Sequence, residues 1–348
     1  MKPWYSKYLL SSFAVFLAFG MLWWSMPEEE ILVVSEKWKG VCWVGSRSPL
    51  DGSELRALKA IGANAISQTP FGWQSDIHSP EIRWEVDAER QWWGESGKGI
   101  QVTHDSSKVL GITNMLKPHL WVRGSWPGEI KMKNKADWEA WFTNYTAFIL
   151  DYAHLAEELG IPMLCIGTEL EMTSDRAEDW EQIIAAIRKV YSGKLVYAAN
   201  FTEFEHITFW DKLDYIGIQA YFPLADDHNP SLEELKEGWG RQLPKVEKVV
   251  KKYQKPVLFT EIGYCNTVDA AIEPWVWPNE RKEIEFSETA QALCYEAFFE
   301  SAWPKSWLAG VYFWKWYPNR HDREPDFTPQ GKKAELVMAR YFTKDQDS

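Results

Sequence analysis

The chain has 348 residues, 45% hydrophobic and 25% charged, a globular composition that excludes a disordered polymer. A formal net charge of −12 excludes nucleic acid or an anionic lipid surface as the main partner, since both need a basic footprint. Four cysteines, Cys42, Cys165, Cys265 and Cys294, lie far apart without a CxxC pair, so metal-ligand spacing is absent and buried free thiols are expected.

The first element is a charge-free run from Tyr8 to Met26, preceded by Lys2 and Lys7 and followed by Glu28, Glu29 and Glu30. As a helix this run would rise about 28 Å, close to the hydrocarbon thickness of a bilayer. The leading lysines place the N-terminus in the cytoplasm and the rest of the chain outside it, in a periplasmic or extracellular location. No small-x-small site precedes Pro27, which favours an uncleaved membrane anchor; cleavage would make the protein a secreted one. The sequence therefore divides into residues 1–30 (cytoplasmic tip and anchor or signal segment), a short stalk at 31–37, and one globular domain over 38–343.

Within that domain, strand-like and helix-like segments alternate. The strand candidates are Gly40–Gly45, Ala63–Gln68, Thr113–Leu120, Met163–Gly167, Leu195–Ala199, Tyr215–Ala220, Val257–Thr260 and Gly310–Phe313. Between them, Trp138, Trp141, Phe142, Tyr145, Phe148, Ile149, Tyr152, Leu155 and Leu159 recur at helical steps, and Gly160 with Pro162 closes that helix. Trp180, Ile183, Ile184, Ile187, Val190 and Tyr191 repeat the pattern, and Ser231–Glu234 has the form of a capping box. Eight strand–helix alternations predict an α/β fold, a closed (β/α)8 barrel of the TIM type, preceded by the single transmembrane or signal segment.

Twenty-two tryptophans exceed what a core needs. Trp138, Trp141 and Trp180 belong to the core, but many others fall in three long loops: Trp73, Trp84, Trp92 and Trp93 between Thr69 and Ser106, Trp275 and Trp277 after the seventh strand, and Trp316 with Tyr317 and His321 after the eighth. In such a barrel these loops emerge at the C-terminal face, where barrel enzymes place their sites. Indole rings stack on the apolar faces of sugars, so the composition points toward carbohydrate. Trp73, Trp92, Trp275 and Trp277 are either sugar-stacking residues or pins for their own loops.

Several strands end in residues a core would not choose. The fourth runs Leu164–Cys165–Ile166–Gly167–Thr168–Glu169, and the seventh Leu258–Phe259–Thr260–Glu261–Ile262. A carboxylate directly after an apolar strand costs several kcal/mol if it is buried and unpaired. Two of them facing one another across the barrel mouth are what glycoside hydrolysis needs: one protonates the leaving oxygen, the other attacks the anomeric carbon or activates water. Glu171 is the rival for Glu169, but it already begins the next loop or helix.

The ordered strand ends Lys39–Gly45, Leu116–Trp121, Ile166–Glu171, Asp214–Tyr221 and Thr260–Tyr264 resemble the large clan of retaining (β/α)8-barrel glycoside hydrolases. Within it the chain most resembles glycoside hydrolase family 113, whose characterised members are β-1,4-mannanases. The resemblance extends over residues 38–343. It implies an endo-β-1,4-mannanase-like double displacement on a polysaccharide or oligosaccharide, with Glu169 as acid/base and Glu261 as nucleophile. Tyr221 would hydrogen-bond the nucleophile, and Trp314 would be the platform under the sugar being cleaved. Where the clan usually has Asn before the acid/base, this chain has Thr168, whose hydroxyl can still donate or accept, with Asn200 on the next strand as a possible helper. Lys117 and His119 are either substrate contacts or barrel-mouth structure. No cofactor and no metal is implied, because this chemistry needs only protein groups. Two alternatives stay open: a glycosidase of the same clan acting on another β-linked glycan, and a surface carbohydrate-binding protein that has lost activity. The oligomeric state is not legible.

Overall fold

In a computed structural model the described residues are 32–86, 92–281, 285–319 and 324–344. The proposed anchor at 1–30 and His321 lie outside them. Among the described residues no helix is long and apolar enough to cross a membrane.

The elements follow in order: β1 (Trp38–Trp43), α1 (Ser53–Ala60), β2 (Ala65–Gln68), β3 (Phe71–Gln74), β4 (Ile82–Arg83), α2 (Gly97–Val109), β5 (Thr113–Leu116), β6 (His119–Val122), α3 (Lys135–Leu159), β7 (Met163–Thr168), α4 (Glu171–Ser174) and α5 (Ala177–Ile187). They continue with β8 (Lys194–Asn200), β9 (Tyr215–Gln219), α6 (Leu232–Tyr253), β10 (Val257–Ile262), α7 (Glu288–Ser301), β11 (Leu308–Trp316) and α8 (Lys333–Thr343). Eight parallel strands close into a barrel in the order β1-β11-β10-β9-β8-β7-β5-β2. This is the predicted (β/α)8 architecture.

The helix signals act where chemistry demands. Gly160 caps α3 with φ 69°, the left-handed conformation that glycine adopts without a Cβ penalty. Ser231 and Glu234 form the capping box that opens α6. Along β8, Val196 and Ala198 fill the barrel with Cys42, Ala65, Met115, Met163, Cys165 and Leu258, while Leu195, Tyr197 and Ala199 face the helices. All four cysteines are buried and free.

Two expectations need correction. The third strand does not run from Thr113 to Leu120. Pro118 lacks an N–H, and the barrel strand stops at Leu116. The chain resumes as β6, which pairs in parallel with β3, while β4 pairs antiparallel with β3. Leu116 pairs with Gln68 in the barrel sheet and His119 pairs with Phe71 in the small sheet at the same offset, so the two strands leave the barrel together past Pro70 and Pro118. The stretch from Thr69 to Ser106 is thus partly strand, and from Gly97 onward it is already α2. The second correction is Trp316, which ends β11 and is buried, not part of the mouth loops.

Residues 32–37, expected as a stalk, lie along the N-terminal end of the barrel. The Val34 amide donates to the Ser306 carbonyl at 2.9 Å, and the Lys37 ammonium reaches the carbonyl oxygens of Trp303 and Lys305.

Candidate active site

Each of the two candidate carboxylates follows an irregularity in its strand. On β10, Leu258 faces the barrel interior and Phe259 the helices, so simple alternation would turn residue 261 outward. An extra residue between Phe259 and Glu261, relative to Ile218 and Gln219 of β9, makes a bulge that re-aims the Glu261 side chain. On β7 the register with β8 shifts between Cys165 and Thr168, and Glu169 itself takes φ 51°. That left-handed conformation costs a non-glycine residue roughly 1–2 kcal/mol. The Glu169 N–H donates to the Ala198 carbonyl at 2.9 Å, which ties the turn to β8.

Glu261 is buried with both oxygens engaged. Its Oε1 accepts from the Lys117 ammonium, and its Oε2 accepts from the Tyr221 hydroxyl at 2.9 Å. Lys117 is wholly buried and also donates to Gln219 Oε1 and the Thr260 carbonyl, each at 3.2 Å. Burial alone would raise the Glu261 pKa. The Lys117 charge and its hydrogen bond, with help from the Gln219 side chain, reverse that and hold the carboxyl below its ordinary value. The stabilisation from this depressed pKa is fully present above the ordinary glutamate value and is lost as pH falls through the folded-state value. At neutral pH the pair is an ion pair.

His119 lies beside it, with Nε2 3.6 Å from Glu261 Oε1 and no hydrogen-bond partner among the described residues. Burial and then the Lys117 charge push His119 down to about 3, so its ring is neutral near pH 7. The ring stacks against Trp314, centroids 6.2 Å apart.

Glu169 has the opposite electrostatics. Burial, then the Glu261 charge, push it up to about 7, against the lowering pull of the Trp126 N–H and of Lys117. The Trp126 indole nitrogen donates to Glu169 Oε2 at 3.0 Å. An indole N–H can only donate, so Oε2 is the acceptor in this bond. Two carboxyls whose environments drive their pKa values apart have the signature of an acid and a base in one site.

The remaining residues separate into two groups. Tyr221, Trp314, His119 and Lys117 gather around Glu261. Asn200 and Glu171 bond one another: Asn200 Nδ2 donates to Glu171 Oε2 at 3.3 Å, the Thr202 hydroxyl donates to the same oxygen at 2.7 Å, and Asn200 Oδ1 accepts from the Phe201 N–H. The Asn200 amide is thus occupied, its nitrogen by Glu171 at the start of α4 and its oxygen by the N–H of the next residue. Thr168 is buried, its hydroxyl 3.8 Å from Cys165 Sγ. Trp73 is half exposed and tilts against Trp121 at 6.1 Å. These two rings, with Trp84, Trp92, Trp277 and Trp314, line a cleft of about 880 Å³ at the mouth, which the side chains of Arg83, Glu95 and Lys315 also reach. Trp275 stands apart, stacked on Phe201 at 5.1 Å.

Sequence reasoning missed Gln219 and Trp126. Gln219 had a signal, a polar residue at an inward position of an apolar strand. Trp126 had none, since it sits in a Gly–Ser–Trp–Pro–Gly turn typical of any loop.

A half-buried acid poised near neutrality beside an ionised carboxylate, at the C-terminal mouth of a (β/α)8 barrel, matches the class of glycoside hydrolases. The sequence model of glycoside hydrolase family 113 matches residues 46–332. A β-1,4-mannanase of that family superposes with a TM-score of 0.77 at 26% identity, covering 89% of this chain and 99% of the mannanase. The family 113 β-mannanase AaManA from Alicyclobacillus acidocaldarius, in complex with ManMIm, gives a TM-score of 0.77 at 27% identity, covering 88% of this chain and 97% of that one. A β-glucuronidase from Ruminococcus gnavus shares the fold at 13% identity, with a TM-score of 0.60 over 88% of this chain and half of its own length. A comparison with curated protein sequences found no match. The chain belongs to glycoside hydrolase family 113 and is a glycoside hydrolase.

Proposed function

We propose that the protein is a retaining endo-β-1,4-mannanase working through Glu169 and Glu261. The observation that carries this reading is the opposed electrostatics of the pair, with an ionised Glu261 held by Lys117 and Tyr221 and a Glu169 raised to about 7 partly by the Glu261 charge. The mannan assignment is supported by likeness to solved family 113 mannanases over nearly the whole barrel.

In the first step a Glu261 carboxylate oxygen attacks the anomeric carbon as the bond from that carbon to the glycosidic oxygen breaks, and the Glu169 proton passes to the departing oxygen. Glu261 then holds the sugar as an ester. Its charge is gone, so the contribution that raised Glu169 disappears and the Glu169 pKa falls. Glu169 now takes a proton from water, whose oxygen attacks the anomeric carbon and releases Glu261. Two displacements on one carbon retain its configuration. Trp314 stacks under the reacting sugar, with the His119 ring stacked against the indole. The leaving chain departs on the β7–β8 side where Glu169 stands, so the tryptophan-lined cleft toward β1, β2 and β11 takes the non-reducing portion. A cleft of about 880 Å³ suits more than one sugar ring.

The test compares hydrolysis of mannan, glucomannan, xylan and cellulose and follows the new anomeric signal by NMR. Mannan should be the preferred polymer, with internal cleavage and a β-anomer appearing first. An α-anomer appearing first would end the retaining reading, and preference for xylan or cellulose the mannan one.

The pH profile supplies a second test. The basic limb of kcat/KM should lie near pH 7, where Glu169 loses its proton. In Trp126→Phe a donor that favours the charged carboxylate is removed, so the limb should move to higher pH. A limb that stays put or moves to lower pH contradicts the role given to Trp126.

For the N-terminal segment we retain the uncleaved anchor. Val34 and Lys37 are tied to the N-terminal end of the barrel, opposite the cleft, so a barrel anchored by Tyr8–Met26 would open away from the membrane. A membrane-extracted protein whose mass starts near residue 27 would remove the anchor.

A further inference from the structure

A buried acid that the mechanism above does not use, Glu203, stands behind the Glu169 turn. It lies three residues past the end of β8 and is 2% exposed. Its Oε1 accepts the Tyr197 hydroxyl proton at 2.8 Å, and its Oε2 accepts the Asn200 N–H at 3.0 Å. The Tyr197 oxygen in turn accepts the Leu170 N–H at 3.1 Å. Leu170 follows Glu169 directly. The left-handed turn at Glu169 is therefore held on both sides by β8, by the Ala198 carbonyl before it and by the Tyr197 hydroxyl after it.

Tyr197 reaches this position because its neighbour on β7 has no side chain. A Cβ on Gly167 would lie 2.7 Å from the Tyr197 ring and 2.8 Å from Trp180. Edge contacts with Trp180 and Phe209 fix the ring plane, which leaves the hydroxyl one direction in which to donate, toward Glu203. Burial holds Glu203 up to about 8, against the lowering pull of three donors that converge on it, the Tyr197 hydroxyl, the Asn200 N–H and the Ser174 hydroxyl. The Tyr197 hydroxyl and the Asn200 N–H take different oxygens, and an amide, whose nitrogen cannot accept, serves only one of them. A left-handed glutamate without these ties would relax toward commoner backbone conformations and carry its carboxyl off the glycosidic oxygen.

We infer that Glu203, acting through the Tyr197 hydroxyl, is the positioning residue that holds the Glu169 carboxyl in line with the leaving-group oxygen. The inference rests on Glu169 being the acid/base, and the test separates the two.

The variants are Glu203→Gln and Tyr197→Phe in the full chain, the second of which keeps the ring volume. Each is assayed as kcat/KM, which reports the first displacement, on mannohexaose and on a dinitrophenyl β-mannobioside. Natural sugar leaving groups need acid catalysis and dinitrophenolate does not. Misplacing the acid should lower kcat/KM on mannohexaose about ten- to a hundredfold and on the aryl substrate less than about threefold. An equal loss on both substrates, or no loss on either, overturns the inference, since a merely structural acid lowers both together. Glu169→Gln is run alongside. If it also fails to discriminate between the substrates, the acid/base assignment falls, and this inference with it.

Discussion

The Glu261→Gln enzyme should turn over at least about 10⁴-fold more slowly than the parent on mannan, because an amide has no charge with which to attack the anomeric carbon. The substitution is nearly isosteric, and the Tyr221 hydroxyl can still donate to the amide oxygen. Stability is a different matter. Lys117 is wholly buried, and its ammonium would be left beside a neutral group. Breaking a buried ion pair by removing one partner costs about 3–5 kcal/mol. The variant should therefore melt lower as well as lose activity, which on its own invites the objection that it is merely damaged. The double variant Lys117→Met with Glu261→Gln answers this, because it removes both charges and fills the same volume with an apolar chain. It should recover most of the lost melting temperature and none of the turnover. Parent-like turnover in Glu261→Gln would remove the nucleophile assignment. A double variant that melts no higher than the single one would show that the pair does not carry the burial argument.

What the sequence disclosed, and what it withheld, follows from the range of the interactions involved. Met163–Gly167 and Val257–Thr260 were legible as barrel strands because strands buried on both faces are continuous apolar runs. Gly160 and Ser231 were legible because capping is settled within a few residues. The third strand was misread since Pro118 could be weighed only against its own neighbours, while the partner that gives His119–Val122 its extended pairing, Phe71–Gln74, lies in what reads as loop. At the mouth, Glu169 and Glu261 stood out as acids ending apolar strands. The bulge that turns Glu261 inward left no trace in its composition. Lys117 stayed ambiguous because a lysine after a strand is equally at home in solvent, and the group that fixes it lies 144 residues away. Glu203 was invisible for a related reason. One acid among Asn200–Phe201–Thr202–Glu203–Phe204–Glu205 looks like surface until β7 and β8 are placed side by side.

Removing the acid/base instead of the nucleophile should give a different pattern, and the difference tells the two carboxylates apart. In Glu169→Ala, kcat/KM on mannan should fall about 10²–10⁴-fold, the usual worth of a positioned acid, while kcat/KM on a dinitrophenyl β-mannobioside should change little. With that aryl substrate the first displacement still runs and the glycosyl ester on Glu261 accumulates, because water now lacks its base. Azide needs no base. It should enter the space left by the carboxyl, attack the anomeric carbon as the ester bond to Glu261 breaks, and restore kcat in proportion to its concentration. Its product is fixed by geometry. Attack on the Glu261 ester from the Glu169 side gives the β-glycosyl azide, with configuration retained over two displacements. In Glu261→Ala, azide would stand where the nucleophile stood and displace the leaving group once, giving the α-azide. An α-azide from Glu169→Ala would therefore exchange the two roles. Absence of rescue there, with the aryl substrate still consumed at the parent rate, would mean that Glu169 is not the base that activates water.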